Sequence, residues 1–195
     1  GAVRRKLLIR FLSDSYLPYL ETKPPFAPPT KEKVALIGGG PGSLMAGYML
    51  SKKGYKTTIL ERSPQLGGAL RYIPRYRLPG NIIDSTLNNL VRIAHIEVKL
   101  GVRMGNGGKT LDGLKNEGYR AIFIATGTPT PRPLTFERER PDGSGRGAGR
   151  TGLNLLYDMN QKEIPSQLFQ GKRVIVVGGG NVAFVVARTA RRLGG

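Results

Sequence analysis

Two glycine clusters stand where an apolar run gives way to a helix-forming one, and each could hold an anion on main-chain amides. The first is Gly38-Gly39-Gly40-Pro41-Gly42-Ser43, directly after Val34-Ala-Leu-Ile37. Gly38 permits a sharp turn out of a strand. Gly40, with no side chain, lets the backbone approach a diphosphate, and a helix N-terminus beyond it supplies unpaired N–H groups and a partial positive charge. The third position of this pattern is Ser43 rather than Gly or Ala, so only a modest loss of helix–strand packing is expected. Glu61 closes the next apolar run, 23 residues after Gly38. A carboxylate at that distance accepts the hydroxyls of an adenosine ribose and repels a 2′-phosphate, so this first site is expected to take FAD or NAD rather than NADP.

The second cluster is Gly178-Gly179-Gly180-Asn181-Val182-Ala183, again between an apolar run and a helical one. Ala183 replaces the third glycine and should widen the helix–strand gap slightly. The acidic or basic residue that separates NADH from NADPH belongs at the end of a following strand, so the choice between them stays open. Two such turns suggest two nucleotides, a donor and an acceptor. Between them lies Ala121-Ile-Phe-Ile-Ala125-Thr126-Gly127, a strand whose end should pass near the first nucleotide or the crossover between domains.

Other chemistries find little footing in these 195 residues. There is no cysteine, so disulfides, a cysteine nucleophile and a thiolate-held metal or cluster have no ligands within the sequence. One histidine, His95, makes no histidine metal site alone and is expected as a polar residue closing a helix. No G-x-S-x-G elbow exposes a serine. No metal ligand set and no acid–base catalytic residue is expected.

The elements that must position the turns follow an α/β rhythm. Residues 3–12 suggest a short amphipathic helix, and Lys23-Pro-Pro-Phe-Ala-Pro-Pro-Thr30 an extended linker. Strands are expected at Val34–Ile37, Lys56–Leu60, Ile96–Leu100, Ala121–Ala125 and Arg173–Val177. Helices are expected at about Gly42–Lys53, Asn81–Ala94, Leu153–Met159 and Val182–Leu193. Pro131–Arg150 reads as a polar loop. Strand, crossover helix and strand in alternation predict parallel sheets. The boundaries expected are a helix and linker over 1–30, a first nucleotide-binding domain over 31–127 and the start of a second over 128–195.

The net charge of +18 raises nucleic acid or an acidic partner as possibilities, but the excess is spread along the chain rather than gathered in a tail. A solvated basic surface serving anionic cofactors and an acidic protein partner is preferred over nucleic-acid binding. No apolar block reaches the roughly 18 residues of a membrane span, and no secretory signal is visible, so the cytoplasm is the expected location.

The chain resembles the flavoprotein family of the small (beta) subunit of glutamate synthase. The matching segment of dihydropyrimidine dehydrogenase and ferredoxin:NADP oxidoreductases belong to the same family. The resemblance runs nearly end to end: Arg10-Phe-Leu-Ser-Asp14, the proline linker, Ile37–Gly42, Glu61 with Gly67-Gly68, Ile73-Pro-Arg-Tyr-Arg-Leu-Pro79, Ala125–Gly127, Gly178–Asn181 and Ala187–Arg191. Ile73–Pro79 is its most specific part, because the general two-nucleotide pattern does not contain it. Ser43, Val182 and residues 136–150 depart from the family.

The resemblance implies a Rossmann-like flavoprotein fold with two dinucleotide sites, continuing beyond Gly195. It places FAD on Gly38, Gly39, Gly40, Pro41, Gly42, Ser43, Glu61 and Arg62, with Gly68, Ala69, Arg77, Ala125, Thr126 and Gly127 further along. It places NADPH or NADH on Gly178, Gly179, Gly180, Asn181 and Val182. It implies an oxidoreductase subunit passing electrons between NAD(P)H and the iron–sulfur clusters of a partner domain or subunit, with this segment alone catalytically incomplete. The competing expectations are another flavin-dependent reductase and a non-catalytic nucleotide-binding or assembly module.

Overall fold

A computed structural model describes residues 4–130, 151–161 and 167–195 of the chain. The backbone divides into two compact units, Gly1–Leu70 with Gly80–Gly127, and Arg71–Pro79 with Thr128–Gly195.

In the first unit, β1 (Lys33–Ile37) runs into α2 (Pro41–Lys52), which returns to β2 (Lys56–Glu61). Helix α3 (Gly80–Ile93) leads to β3 (Glu97–Leu100), and α4 (Leu111–Asn116) leads to β4 (Tyr119–Ile124). All four strands are parallel, in the order β3-β2-β1-β4. The apolar runs explain the order. Val34 to Ile37 of β1 and Thr57 to Glu61 of β2 are buried on both faces, so these strands must be central. β3 and β4, with more exposed residues, form the edges.

One face of the sheet packs Ala35, Ile37, Leu60 and Tyr119 against Leu114 of α4. The opposite face lies against α2, where a Cβ on Gly47 would stand 3.1 Å from Leu36 Cδ1 and 2.9 Å from Ile96 Cδ1. Helix α4 has a sequence cause that periodicity alone misses: Thr110 is its N-cap and accepts the Gly113 N–H at 3.0 Å.

The N-terminal helix α1 spans Arg5–Thr22, well past the expected residues 3–12. It continues through Pro18, whose ring removes one intrahelical bond without ending the helix here. The guanidinium of Arg92 compensates at its C-terminus, reaching the carbonyls of Leu20, Glu21 and Lys23 at 2.9–3.0 Å. His95, at a left-handed φ of 48° just beyond α3, places Nε2 2.9 Å from the Phe26 carbonyl. A carbonyl only accepts, so this nitrogen carries the proton.

The second unit contains α5 (Gly152–Gln161) and α6 (Asn181–Arg192). Leu155 and Leu156 of α5 and Val186 of α6 form its core, with Phe169 and Val176 packed on them. The strand expected at Arg173–Val177 is not formed among the described residues. A strand exists by pairing, and no described segment of this unit runs beside it, so Ile175 and Val177 stay largely exposed. The polar loop expected at Pro131–Arg150 lies outside the described residues.

Candidate functional site

The first turn is built by backbone crossing backbone. Gly38 adopts φ +101°, and its N–H donates to Leu60 O at 2.9 Å while the Ala125 N–H donates to Ile37 O at 2.9 Å. A Cβ on Gly38 would sit 2.5 Å from Ala125 O, so the Ala125-Thr126-Gly127 segment occupies the space a side chain would need. Gly40 is the N-cap of α2, extended at φ −85°, with no side-chain cap. Its carbonyl accepts the Leu44 N–H at 3.1 Å, which leaves the amides of Gly42 and Ser43 as the orphan donors of a helix start. Gly67 N–H donates to Gly39 O at 2.8 Å, and a Cβ on Gly68 would fall 2.8 Å from Gly40 Cα. Gly67 and Gly68 therefore lie directly against the turn, with Ala69 next in the chain and exposed.

Glu61 closes the arrangement. Its buried carboxylate accepts the Gly39 N–H on Oε2 at 2.5 Å and the Ser63 N–H on Oε1 at 2.7 Å. The end of β2 is thus tied to the turn leaving β1. Arg62, next in the chain, is exposed. Sequence reasoning did not find the amide of Ser63 or the packing role of Gly47. The signal for the latter is its place one turn beyond Ser43 on the same face of α2. Ser43 itself is fully buried, and its Oγ has no hydrogen-bond partner.

The second unit repeats the turn in its own backbone. Gly178 has φ +121°, Gly180 is an extended N-cap at φ −82° without a side-chain cap, and Phe184 N–H donates to Gly180 O at 3.2 Å. Helices α2 and α6 each have 12 residues, and each is followed by a glycine in the left-handed region, Gly54 at +89° and Gly194 at +90°. The landmarks recur at a constant spacing of 140 residues, as from Gly38 to Gly178. Side chains added at Gly179 or Gly180 would meet nothing within 4 Å.

Arg77 belongs to this second unit, within Arg71–Pro79. That segment rests on α5 and α6. Asn160 Nδ2 donates to the carbonyls of Arg71 and Ile73 at 2.7 and 2.8 Å, and Arg75 donates to Asn160 O at 2.7 Å. Tyr76 Oη lies 3.3 Å from Thr189 Oγ1, and the Arg192 guanidinium stacks 4.2 Å above the Tyr76 ring. Arg192, exposed on α6, thus covers one face of the Tyr76 ring. Tyr72 packs on Tyr157.

Away from the turns, Glu97 accepts the Thr58 hydroxyl at 2.7 Å, and this bond is the main reason its carboxyl is held below the usual range. No group of three or more acidic, histidine or cysteine residues fit to hold a metal occurs among the described residues. No described helix is long and apolar enough to cross a membrane.

The donor set tests well against a dinucleotide. Main-chain amides at an uncapped helix start match a diphosphate, and a buried carboxylate at the next strand end matches a ribose. A parallel α/β sheet carrying the first turn, and a second turn of the same backbone form, are features that dinucleotide-binding proteins present. The chain belongs to the pyridine nucleotide-disulphide oxidoreductase family, whose model matches residues 32–195.

Among curated relatives, the NADP(+)-dependent formate dehydrogenase subunit beta of Moorella thermoacetica is 40% identical over 164 residues, 84% of this chain and 22% of that protein. The NAD-dependent dihydropyrimidine dehydrogenase subunit PreT of Salmonella typhimurium is 32% identical over 177 residues, 85% of this chain and 38% of that protein. The chain thus spans well under half of either relative. Among solved structures, 2-naphthoyl-CoA reductase superposes with a TM-score of 0.58 at 20% identity, over 87% of this chain and 23% of that one. Histamine dehydrogenase from Rhizobium sp. 4-9 superposes with a TM-score of 0.56 at 21% identity, over 88% and 26%. At these identities the structures speak for the fold alone. The α/β class with a parallel sheet is the one expected from sequence.

Proposed function

We propose that this chain binds FAD at the first turn and NAD(P)H at the second, within an oxidoreductase subunit that passes electrons to iron–sulfur clusters of a partner domain or subunit. The supporting observation is the repeated turn: one backbone conformation with the same orphan donors, used twice at a fixed spacing. The named activities of the relatives, formate dehydrogenase and dihydropyrimidine dehydrogenase subunits, favour the same class. The family name mentions disulphides, but these 195 residues hold no dithiol, so that chemistry has no residues here.

In this proposal the amides of Gly42 and Ser43 hold the FAD diphosphate, Glu61 fixes the turn and accepts from the ribose, and the Ala125–Gly127 and Gly68-Ala69 backbones line the approach. Gly178, Gly179, Gly180, Asn181 and Val182 form the corresponding turn around the nicotinamide nucleotide's diphosphate, the Val182 amide standing where that of Gly42 stands in the first. Bound flavin supplies the exchange between two-electron and one-electron chemistry, which no side chain here supplies. The protein's part is binding and orientation, so no acid–base residue is required. The glutamate synthase-like assignment and a cytoplasmic location are part of the same proposal.

The test is an absorption spectrum of the purified chain with chromatographic identification of any released nucleotide. A yellow protein that releases FAD is expected, with NADPH or NADH binding lost on Gly180→Val. Protein that stays colourless after incubation with FAD and gel filtration overturns the proposal.

A further inference from the structure

Gly152 opens α5, yet its backbone does not ask for glycine. Its φ lies outside the left-handed region that Gly178 occupies, and alanine would suit a helix better. The reason for its smallness lies on the neighbouring helix. A Cβ at residue 152 would stand 2.9 Å from Val186 Cγ2 and 3.3 Å from Val182 Cγ1. Both valines belong to α6, and Val182 is the second residue of that helix. Neither side can yield easily. Valine is stiff at χ1, and Val186 is locked in the core with Leu155 and Leu156. The start of α5 is fixed by Thr151, whose carbonyl accepts the Leu155 N–H at 3.1 Å and whose hydroxyl accepts the Asn154 N–H at 3.4 Å. The first turn meets the same crowding the other way round. Gly42, the second residue of α2, is the small partner there, and a Cβ on it would touch the Ala125 Cβ at 3.5 Å. At the second turn the nucleotide helix carries the bulk, and the glycine sits on its neighbour.

We propose that Gly152 is a positioning residue for the second nucleotide turn: by letting α5 close onto Val182 and Val186, it sets where the first turn of α6 presents its amides. The inference rests on the reading of Gly178–Val182 as a nicotinamide-nucleotide site. A side chain at 152 would press the start of α6 away from α5. The far end of α6 cannot follow freely, because Thr189 and Arg192 are engaged by Tyr76. The displacement therefore falls on Val182 and on the amides beside it. Hydrogen bonds to an anion weaken steeply with distance and angle, so a small shift of these donors costs affinity. FAD at the first turn, built from other residues, is spared.

The test is titration calorimetry of the purified protein with NADPH and with NADH. Gly152→Ala should weaken whichever of them the parent binds by about tenfold, with FAD retention and far-UV circular dichroism unchanged. In 15N–1H spectra of nucleotide-free protein the Val182 amide should move, while those of Gly42 and Ser43 stay. Val186→Ala removes the methyl that a residue-152 side chain would strike. The double variant should therefore bind within about twofold of Val186→Ala alone, a coupling that only this contact explains. Parent-like affinity in Gly152→Ala overturns the inference, as does a loss that Val186→Ala does not relieve, or an equal loss of FAD. If Gly152→Ala is insoluble, the double variant decides: binding close to that of Val186→Ala supports the inference, and failure to fold or bind overturns it. A parent that binds neither nucleotide refutes the reading of the second turn itself, and the inference with it.

Discussion

Replacing Glu61 with glutamine changes a carboxylate into a group of the same shape with half its acceptor capacity. Both oxygens of Glu61 accept backbone N–H groups, the buried one of Gly39 at 2.5 Å and the half-buried one of Ser63 at 2.7 Å. The amide oxygen of glutamine can accept one of these, and its NH2 group then faces the other, donor against donor. A hydrogen bond to a charged group contributes about 1.5–3 kcal/mol, and a buried unpaired donor costs about 1–3 kcal/mol. Allowing for relaxation, Glu61→Gln should destabilise the first unit by about 3 kcal/mol. For a domain near 100 residues each kcal/mol shifts Tm by about 4–8 °C, so a fall of about 12–24 °C is expected. The assay is thermal unfolding by circular dichroism on protein stripped of nucleotide, because bound ligand would add its own stabilisation to the parent alone. A Tm within 2 °C of the parent would refute the view that this carboxylate is a structural clasp as well as a ligand.

Four further outcomes are expected. Gly38→Ala should abolish soluble folding, since φ is +101° and the new Cβ would lie 2.5 Å from Ala125 O; Gly107→Ala, with φ +75° but nothing within 4 Å, should cost only about 1–2 kcal/mol in denaturant unfolding. Ser43→Ala should raise stability by about 1 kcal/mol, because it removes a buried hydroxyl without a partner; a fall in Tm would show that Oγ is satisfied in solution. Glu97 is depressed in the folded state, so its contribution is present above the unfolded pKa and lost as pH falls through the lower folded one; in an NMR titration, Thr58→Val should move its midpoint upward by removing the main cause. Asn160→Leu leaves the carbonyls of Arg71 and Ile73 without their donor, so amide hydrogen exchange over residues 71–79 should accelerate while β1 and β2 stay protected.

How far the sequence could be read depended on whether the cause was local. β1, α2 and β2 were visible because apolar runs and turn glycines announce themselves within a few residues. Helix α4 was not, because six residues carry no periodicity and its cause is the single cap at Thr110. The reach of α1 past residue 12 depends on Arg92, about 70 positions away. The turn glycines were legible as glycines, but the reason for Gly38 is the carbonyl of Ala125, which only the fold brings near. Nothing along α6 says that the exposed Arg192 stands over the Tyr76 ring, which a distant segment of the chain supplies. Arg173–Val177 has a strand's composition, yet composition does not supply the neighbour that strand pairing needs.

Nine residues, Arg71–Pro79, leave the first unit, bed down on α5 and α6, and return at Gly80. Neither unit is therefore one unbroken stretch of polypeptide. A gene cut at Gly127, the obvious place to divide the coding sequence, would strand Tyr76 and Arg75 without Thr189 and Asn160. It would equally leave α5 and α6 with an uncovered apolar and polar bed. Anyone exchanging these modules with those of a related protein must carry the nine residues with the downstream half, or graft two junctions instead of one.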